Sequence, residues 1–205
     1  MSKRKGTGAG LLTLLGVFAL LVSACSSQPG NGGTANSEPL VKTEPAKAPS
    51  DAGDGVVTGG DLAFMNDAAA GGMGEVELGR LAVKQAASKD VKAFAERMIA
   101  DHSKAGEALK AVAQGKKVML PADIMPKHKE VMAKLSKLNG AEFDKEYVKA
   151  MVADHQKDVT AFEAQAKGSV DSDVKAFAVK TLPTLKMHLQ MIEDMAAKMN
   201  VSVKP

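Results

Sequence analysis

Tryptophan is absent from this 205-residue chain, and aromatic side chains make up only 3% of it, with one tyrosine, Tyr147. Sheets draw their cross-strand packing from aromatic and β-branched residues. Alanine, lysine, methionine and leucine, abundant here, suit packed helices, so the expected class is all-α. Cysteine occurs once, at Cys25, which excludes an internal disulfide framework. Charge of one sign is lacking too: 27 Lys and Arg against 24 Asp and Glu leave a net +3. No basic field implies nucleic acid as a partner. No phosphate-cradling glycine loop precedes a helix, and no serine or cysteine stands with a plausible base, so nucleotide chemistry and covalent hydrolysis lack their residues.

The N-terminal segment opens with Lys3, Arg4 and Lys5 and continues through an apolar stretch from Leu11 to Leu21. That stretch is about a dozen residues, short of the roughly 20 that span a bilayer, so it reads as a secretory signal. Its end, Val22-Ser23-Ala24-Cys25, resembles the bacterial lipobox. The resemblance implies cleavage after residue 24 and lipid attachment at Cys25, making the membrane a partner through that lipid. Ser26, not aspartate, follows the cysteine. By the sorting rule of enteric bacteria this favours the outer membrane, facing the periplasm, over the inner. Residues 25–60, rich in glycine, proline, serine and threonine, lack apolar periodicity and read as a flexible tether reaching on the order of 35 Å.

The domain is expected over residues 61–201. Helical spacing of Phe64, Ala68, Leu78, Ala82 and Ala86 predicts a helix over 61–87. Ser88 caps a second helix, carrying Val91, Phe94, Met98, Leu109 and Val112, that ends near Gly115. Residues 116–140, with Pro121 and Pro126, read as a crossover containing a short helix on Val131, Leu135 and Leu138. Tyr147, Val148, Met151 and Phe162 predict a helix over 141–167. Val174, Phe177, Leu185, Ile192 and Met195 predict another over 171–199, with Pro183 expected to kink it. Four long helices joined by two short connections and one long one describe a ferritin-like four-helix bundle with a single crossover. Two short repeats, Met98 to His102 with Met151 to His155 and Asp90 to Ala95 with Asp173 to Ala178, relate different helix pairs and so cannot both report one duplication.

Glu75, His102, His155 and His188 fall one on each long helix, on its apolar stripe and near mid-height, so all four are expected to point inward and meet. Buried polar groups need partners, which here are one another, neighbouring carboxylates, water or one transition-metal ion, Zn, Fe, Mn or Cu, with the Glu75 carboxylate and the three imidazoles as its ligands. Both the metal reading and a purely structural histidine network remain open. Asp101 and Asp154 precede their histidines and either accept from an imidazole of a neighbouring helix or pair with Lys104 and Lys157 at the surface. Tyr147 is expected part-buried, its hydroxyl seeking a partner. Met187, Met191, Met195 and Met199 form an i, i+4 series read as core filling, with Cu(I) ligation as the alternative. His128, among Lys127, Lys129 and Glu130, is expected in solvent. The Glu-x-x-His pairs of di-iron bundles are missing, which disfavours a two-metal oxidase.

Residues 61–201 resemble a bacterial ferritin-like family, domain of unknown function 4142, described as predicted outer membrane proteins. The resemblance rests on Glu75-Val76-Glu77-Leu78-Gly79 with Leu81-Ala82, on Val91-Lys92-Ala93-Phe94-Ala95 leading to Met98 and Asp101-His102, and on Phe143-Asp144, Tyr147, His155, Leu182-Pro183 and His188. It implies a four-helix fold and export, and no established activity. The leading expectation is a non-catalytic envelope lipoprotein whose bundle binds one metal ion. The alternatives are a structural, interaction or stress-related envelope protein with a buried histidine network, and a mononuclear redox or hydrolytic enzyme needing an open coordination position.

Overall fold

The computed structural model describes residues 57–203. The expected signal sequence, Cys25 and nearly all of the tether lie outside them. The chain forms α1 (Gly59–Gln85), α2 (Lys89–Gly115), α3 (Pro126–Leu135), α4 (Gly140–Gly168) and α5 (Ser172–Lys198). Each bound lies within a turn of the one expected from periodicity, and the local chemistry explains it. The Thr58 side chain accepts from Asp61 N, Ser88 from Val91 N, and Asp171 from Asp173 N and Val174 N, satisfying amides that have no partner in the first turn. α3 starts on Pro126, where a missing N–H costs nothing. Gly140 takes φ +60, which lets the chain turn into α4. Pro183 sits inside α5 on its exposed side, and the helix still runs from Ser172 to Lys198. None of the described helices is long and apolar enough to cross a membrane.

The long helices form two hairpins, α1 on α2 and α4 on α5. They pack against one another through α2 with α5 and α1 with α4, and α3 lies against α1 and α4. Two acids lock this arrangement. Asp61, from α1, accepts from Ser169 Oγ at 2.8 Å and Asp171 N at 3.3 Å in the turn between α4 and α5. Asp144, from α4, accepts from Ala87 N at 3.1 Å and Ser88 N at 2.8 Å in the turn between α1 and α2. Each hairpin thus pins the turn of the other. The Asp90 to Ala95 repeat respects this correspondence, opening α2 and, as Asp173 to Ala178, α5. The repeat around His102 and His155 does not, since it relates α2 to α4.

The apolar core comes in two parts. One holds Leu78, Ala82, Val91, Phe94, Met98, Tyr147, Met151 and Ile192; the other holds Phe64, Met65, Leu109, Phe162, Val174, Phe177 and Leu185. On every long helix the two parts occupy opposite ends. Glu75, His102, His155 and His188 lie in the interval between them, so the bundle carries a polar layer between two apolar ones. Met191, Met195 and Met199 pack on the first part, as expected of core filling.

Candidate metal centre

The polar layer is almost dry. Glu75 is 1% exposed, His102 7%, and His155 and His188 are fully buried. The imidazole centroids stand 5.4 to 5.6 Å apart. One ligating atom from each of His102, His155 and His188 lies within 4.8 Å of the other two. The edge of Phe94 closes the layer on one side, 6.5 Å from the His155 ring and 6.1 Å from the His188 ring.

Each imidazole has one nitrogen engaged and one free. His102 Nδ1 pairs with Glu75 Oε2 at 2.9 Å, His155 Nδ1 donates to the Met151 carbonyl at 3.1 Å, and His188 Nε2 donates to Asp101 Oδ2 at 2.8 Å. His102 Nε2, His155 Nε2 and His188 Nδ1 are buried without a partner among the described residues. An unpartnered buried polar atom costs about 1–3 kcal/mol, so three of them in one layer are a standing cost unless something binds there. An oriented imidazole with its second nitrogen free is the arrangement that metal-ligating histidines adopt. A tetrahedral ion with M–N bonds of ~2.0–2.1 Å would draw the three nitrogens to about 3.4 Å from one another.

Electrostatics favours the ligating form. Burial, reinforced by the two neighbouring imidazoles, pushes His155 down to about 3. Burial also lowers His102 and His188, the latter against its hydrogen bond to Asp101. All three are therefore neutral at pH 7 and keep a lone pair to offer.

Of the two pairings open to Asp101 and Asp154, each makes the one with an imidazole of another helix. Asp101 holds His188 across the α2–α5 contact and meets Arg97 Nε at 3.3 Å, so it does not pair with Lys104. Asp154 does not pair with Lys157; its Oδ1 meets Lys127 Nζ at 2.5 Å and its Oδ2 meets His128 Nε2 at 2.7 Å. His128 is itself 2% exposed, which corrects the expectation of a solvated side chain. It stands three residues before Val131 and seven before Leu135, on the inward stripe of α3, a signal that its charged neighbours masked. Asp158, four residues after Asp154, is the other residue that sequence reading missed. Glu75, Asp154 and Asp158 each bring a ligating oxygen within 4.8 Å of the others. Tyr147 stacks on Phe143 at 5.9 Å, and its hydroxyl finds no partner among the described residues. Burial, with the Glu75 carboxylate nearby, pushes the Tyr147 hydroxyl well up.

Burial, then Asp154, pushes Glu75 up to about 8, and burial, then Glu75, does the same for Asp158. Against the upward push of its own burial, hydrogen bonds from His128 and Lys127 hold Asp154 well below the carboxylate range. A pH dependence follows for the metal-free protein. Unfolded Glu75 loses its proton near 4.5 and folded Glu75 keeps it to about 8, so stability present below 4.5 drains as pH rises through that window. The depressed His155 acts the other way, costing stability as pH falls below 6.5, and is silent above that pH. Between pH 6.5 and 8 only the carboxyls act, and Glu75 alone is expected to cost up to ~2 kcal/mol. Urea unfolding at the two pH values should show the loss, and Glu75→Gln should shrink it. An unchanged midpoint would contradict the burial assigned to these carboxyls.

The family model for a domain of unknown function, DUF4142, matches residues 46–195. No curated protein matches at a significant level. Among solved structures, a DUF305 fragment from Deinococcus radiodurans is similar at TM-score 0.61 and 15% identity, over 69% of this chain and 98% of that one. A putative secreted DUF305 protein from Streptomyces coelicolor is similar at TM-score 0.61 and 13% identity, over 71% and 97%. CopM, solved in a Cu(II)-bound form, is similar at TM-score 0.59 and 15% identity, over 67% and 96%. At these identities the likeness concerns the fold.

Proposed function

We propose that this chain, which belongs to the DUF4142 family, is an envelope lipoprotein whose helical bundle binds one transition-metal ion through His102, His155 and His188. Glu75, Asp101 and the Met151 carbonyl hold the rings in place. The observation that carries this reading is the set of three free, buried ring nitrogens, each backed by an oriented partner. Neutral imidazoles suit Cu and Zn best, then Fe, and Mn least. That a bundle of this shape has been solved with Cu(II) bound adds weight to copper among these. Binding rather than catalysis is the role proposed, because His155 and His188 are fully buried and only His102 of the three imidazoles borders the neighbouring cavity.

Elemental analysis of the full chain, purified without an affinity tag, tests this reading beside a variant with alanine at His102, His155 and His188. About one equivalent of a transition metal, lost in the variant, is expected if three imidazoles complete the site. Absence of metal even after reconstitution would leave a structural histidine network in its place.

The anchoring part of the proposal rests on the Val22 to Cys25 motif and the apolar stretch before it. Lipid on Cys25 would hold the domain at the periplasmic face of the outer membrane. Cys25→Ser should release the protein into the soluble fraction of fractionated cells. Membrane association that survives both this change and a high-salt wash would contradict lipidation.

A further inference from the structure

Beside the imidazoles lies a second cluster with a different ligand chemistry. Glu75, Asp154 and Asp158 converge from α1 and α4, one oxygen from each within 4.8 Å of the others. Acidic clusters alone are common, but this one has two further features. Glu75 Oε1 is buried and has no hydrogen-bond partner among the described residues. Its nearest cationic candidate, His155 Nδ1 at 3.4 Å, is committed to the Met151 carbonyl. The cluster also opens onto a cavity of about 200 Å³ bordered by Glu75, Asp158, Lys127, His102, Gly71 and Gly72. The cavity gives an ion a route from the surface and room for the waters it would keep.

Three carboxyls share one ammonium, that of Lys127, which reaches only Asp154 at 2.5 Å. Its side chain is 42% exposed, so it is a cation that can leave. Three carboxylates suit Ca²⁺, which takes about six to eight oxygen ligands largely from protein, better than Mg²⁺, which keeps most of its waters and binds through one or two carboxylates. Carboxylates also select Mn²⁺ over softer ions.

We propose that Glu75, Asp154 and Asp158 form a second, oxygen-ligated site for a divalent cation of the Ca²⁺ or Mn²⁺ type, taken up in exchange for the Lys127 ammonium and adjoining the imidazole site through Glu75. The site goes beyond the imidazole reading and depends on it only for its neighbour. It uses no Glu-x-x-His pair, so it is distinct in ligand pattern from a di-iron centre. In the metal-free state the excess charge is relieved by protons, consistent with the elevated Glu75 and Asp158 carboxyls.

The test uses the full chain loaded with one equivalent of Zn²⁺ and titrated with Mn²⁺, the free ion being counted by its electron paramagnetic resonance signal. About one Mn²⁺ should bind, Asp158→Asn should weaken it at least about tenfold, and Lys127→Met should tighten it about tenfold by removing the competing charge. The triple histidine variant should still take up Mn²⁺, and circular dichroism checks that each variant remains folded. No Mn²⁺ binding by the native chain, or binding indifferent to both Asp158→Asn and Lys127→Met, overturns the second site. If Zn²⁺ still binds in either of those cases, the imidazole reading stands alone; failure of both ions removes both proposals.

Discussion

Changing His155 to alanine is expected to abolish stoichiometric transition-metal binding and to leave the five described helices in place. The imidazole is fully buried, is ringed by His102 and His188 at 5.6 and 5.5 Å between centroids, and its Nε2 has no partner among the described residues. Its removal takes one of the three grouped ligands, and His128 is not part of that group. Removing an orienting partner is milder: Asp101→Ala frees His188 from its 2.8 Å hydrogen bond and should weaken binding by roughly 10–100-fold without abolishing it. Isothermal titration of the native chain and both variants with Zn²⁺ checks the order. If His155→Ala binds as tightly as the native chain, the ion is elsewhere. The variant creates a cavity, so unfolding is measured alongside; a loss of about 2–4 kcal/mol would be ordinary for a buried side chain of this size.

The second large effect concerns stability. Gly74→Ala is expected to destabilise the protein by about 2–4 kcal/mol, although alanine is the better helix former by ~1 kcal/mol. A Cβ at Gly74 would lie 2.2 Å from His128 Nδ1, 2.4 Å from its Cγ and 2.8 Å from its Cβ. The last of these is rigidly tied to the backbone, so rotation of the ring gives no relief and α3 itself must move. Displacing His128 also breaks its 2.7 Å hydrogen bond to Asp154, leaving a buried carboxylate with Lys127 alone. Gly106 on α2 is the control: nothing lies within 4 Å of its Cβ position, so Gly106→Ala should stabilise by about 0.5–1 kcal/mol. Urea midpoints of the two variants should move in opposite directions. A neutral Gly74→Ala would mean that α3 is not seated on α1 as described.

Both predictions depend on features that differ in how far they can be read from sequence. The helices and the inward placement of Glu75, His102, His155 and His188 follow from periodicity, because in a four-helix bundle a side chain on the apolar stripe has nowhere to point but inward. What periodicity omits is which nitrogen is free. That depends on partners reached across helices, such as Asp101 from α2 to His188 on α5, and on a backbone carbonyl that no side-chain pattern reports. Asp101 and Asp154 flank the stripe, a placement that favours surface lysines over histidines; the partners reached across helices decide for the histidines. His128 and Asp158 escaped for the same reason. His128 lies on the stripe of a short helix, where three charged neighbours outweigh one periodic position. Asp158 stands three residues after His155 and four before Phe162, a stripe position of α4 at which a charged side chain reads as solvent-facing.

X-ray absorption at the edge of the bound metal tests the central claim most directly, because it counts the atoms around the ion instead of inferring them from variants. About three imidazole nitrogens near 2.0–2.1 Å, with the multiple-scattering pattern of the rings, are expected in the native chain loaded with one equivalent of Zn²⁺ or Cu²⁺. A shell of oxygens alone, or one containing sulfur from the methionines of α5, would contradict it.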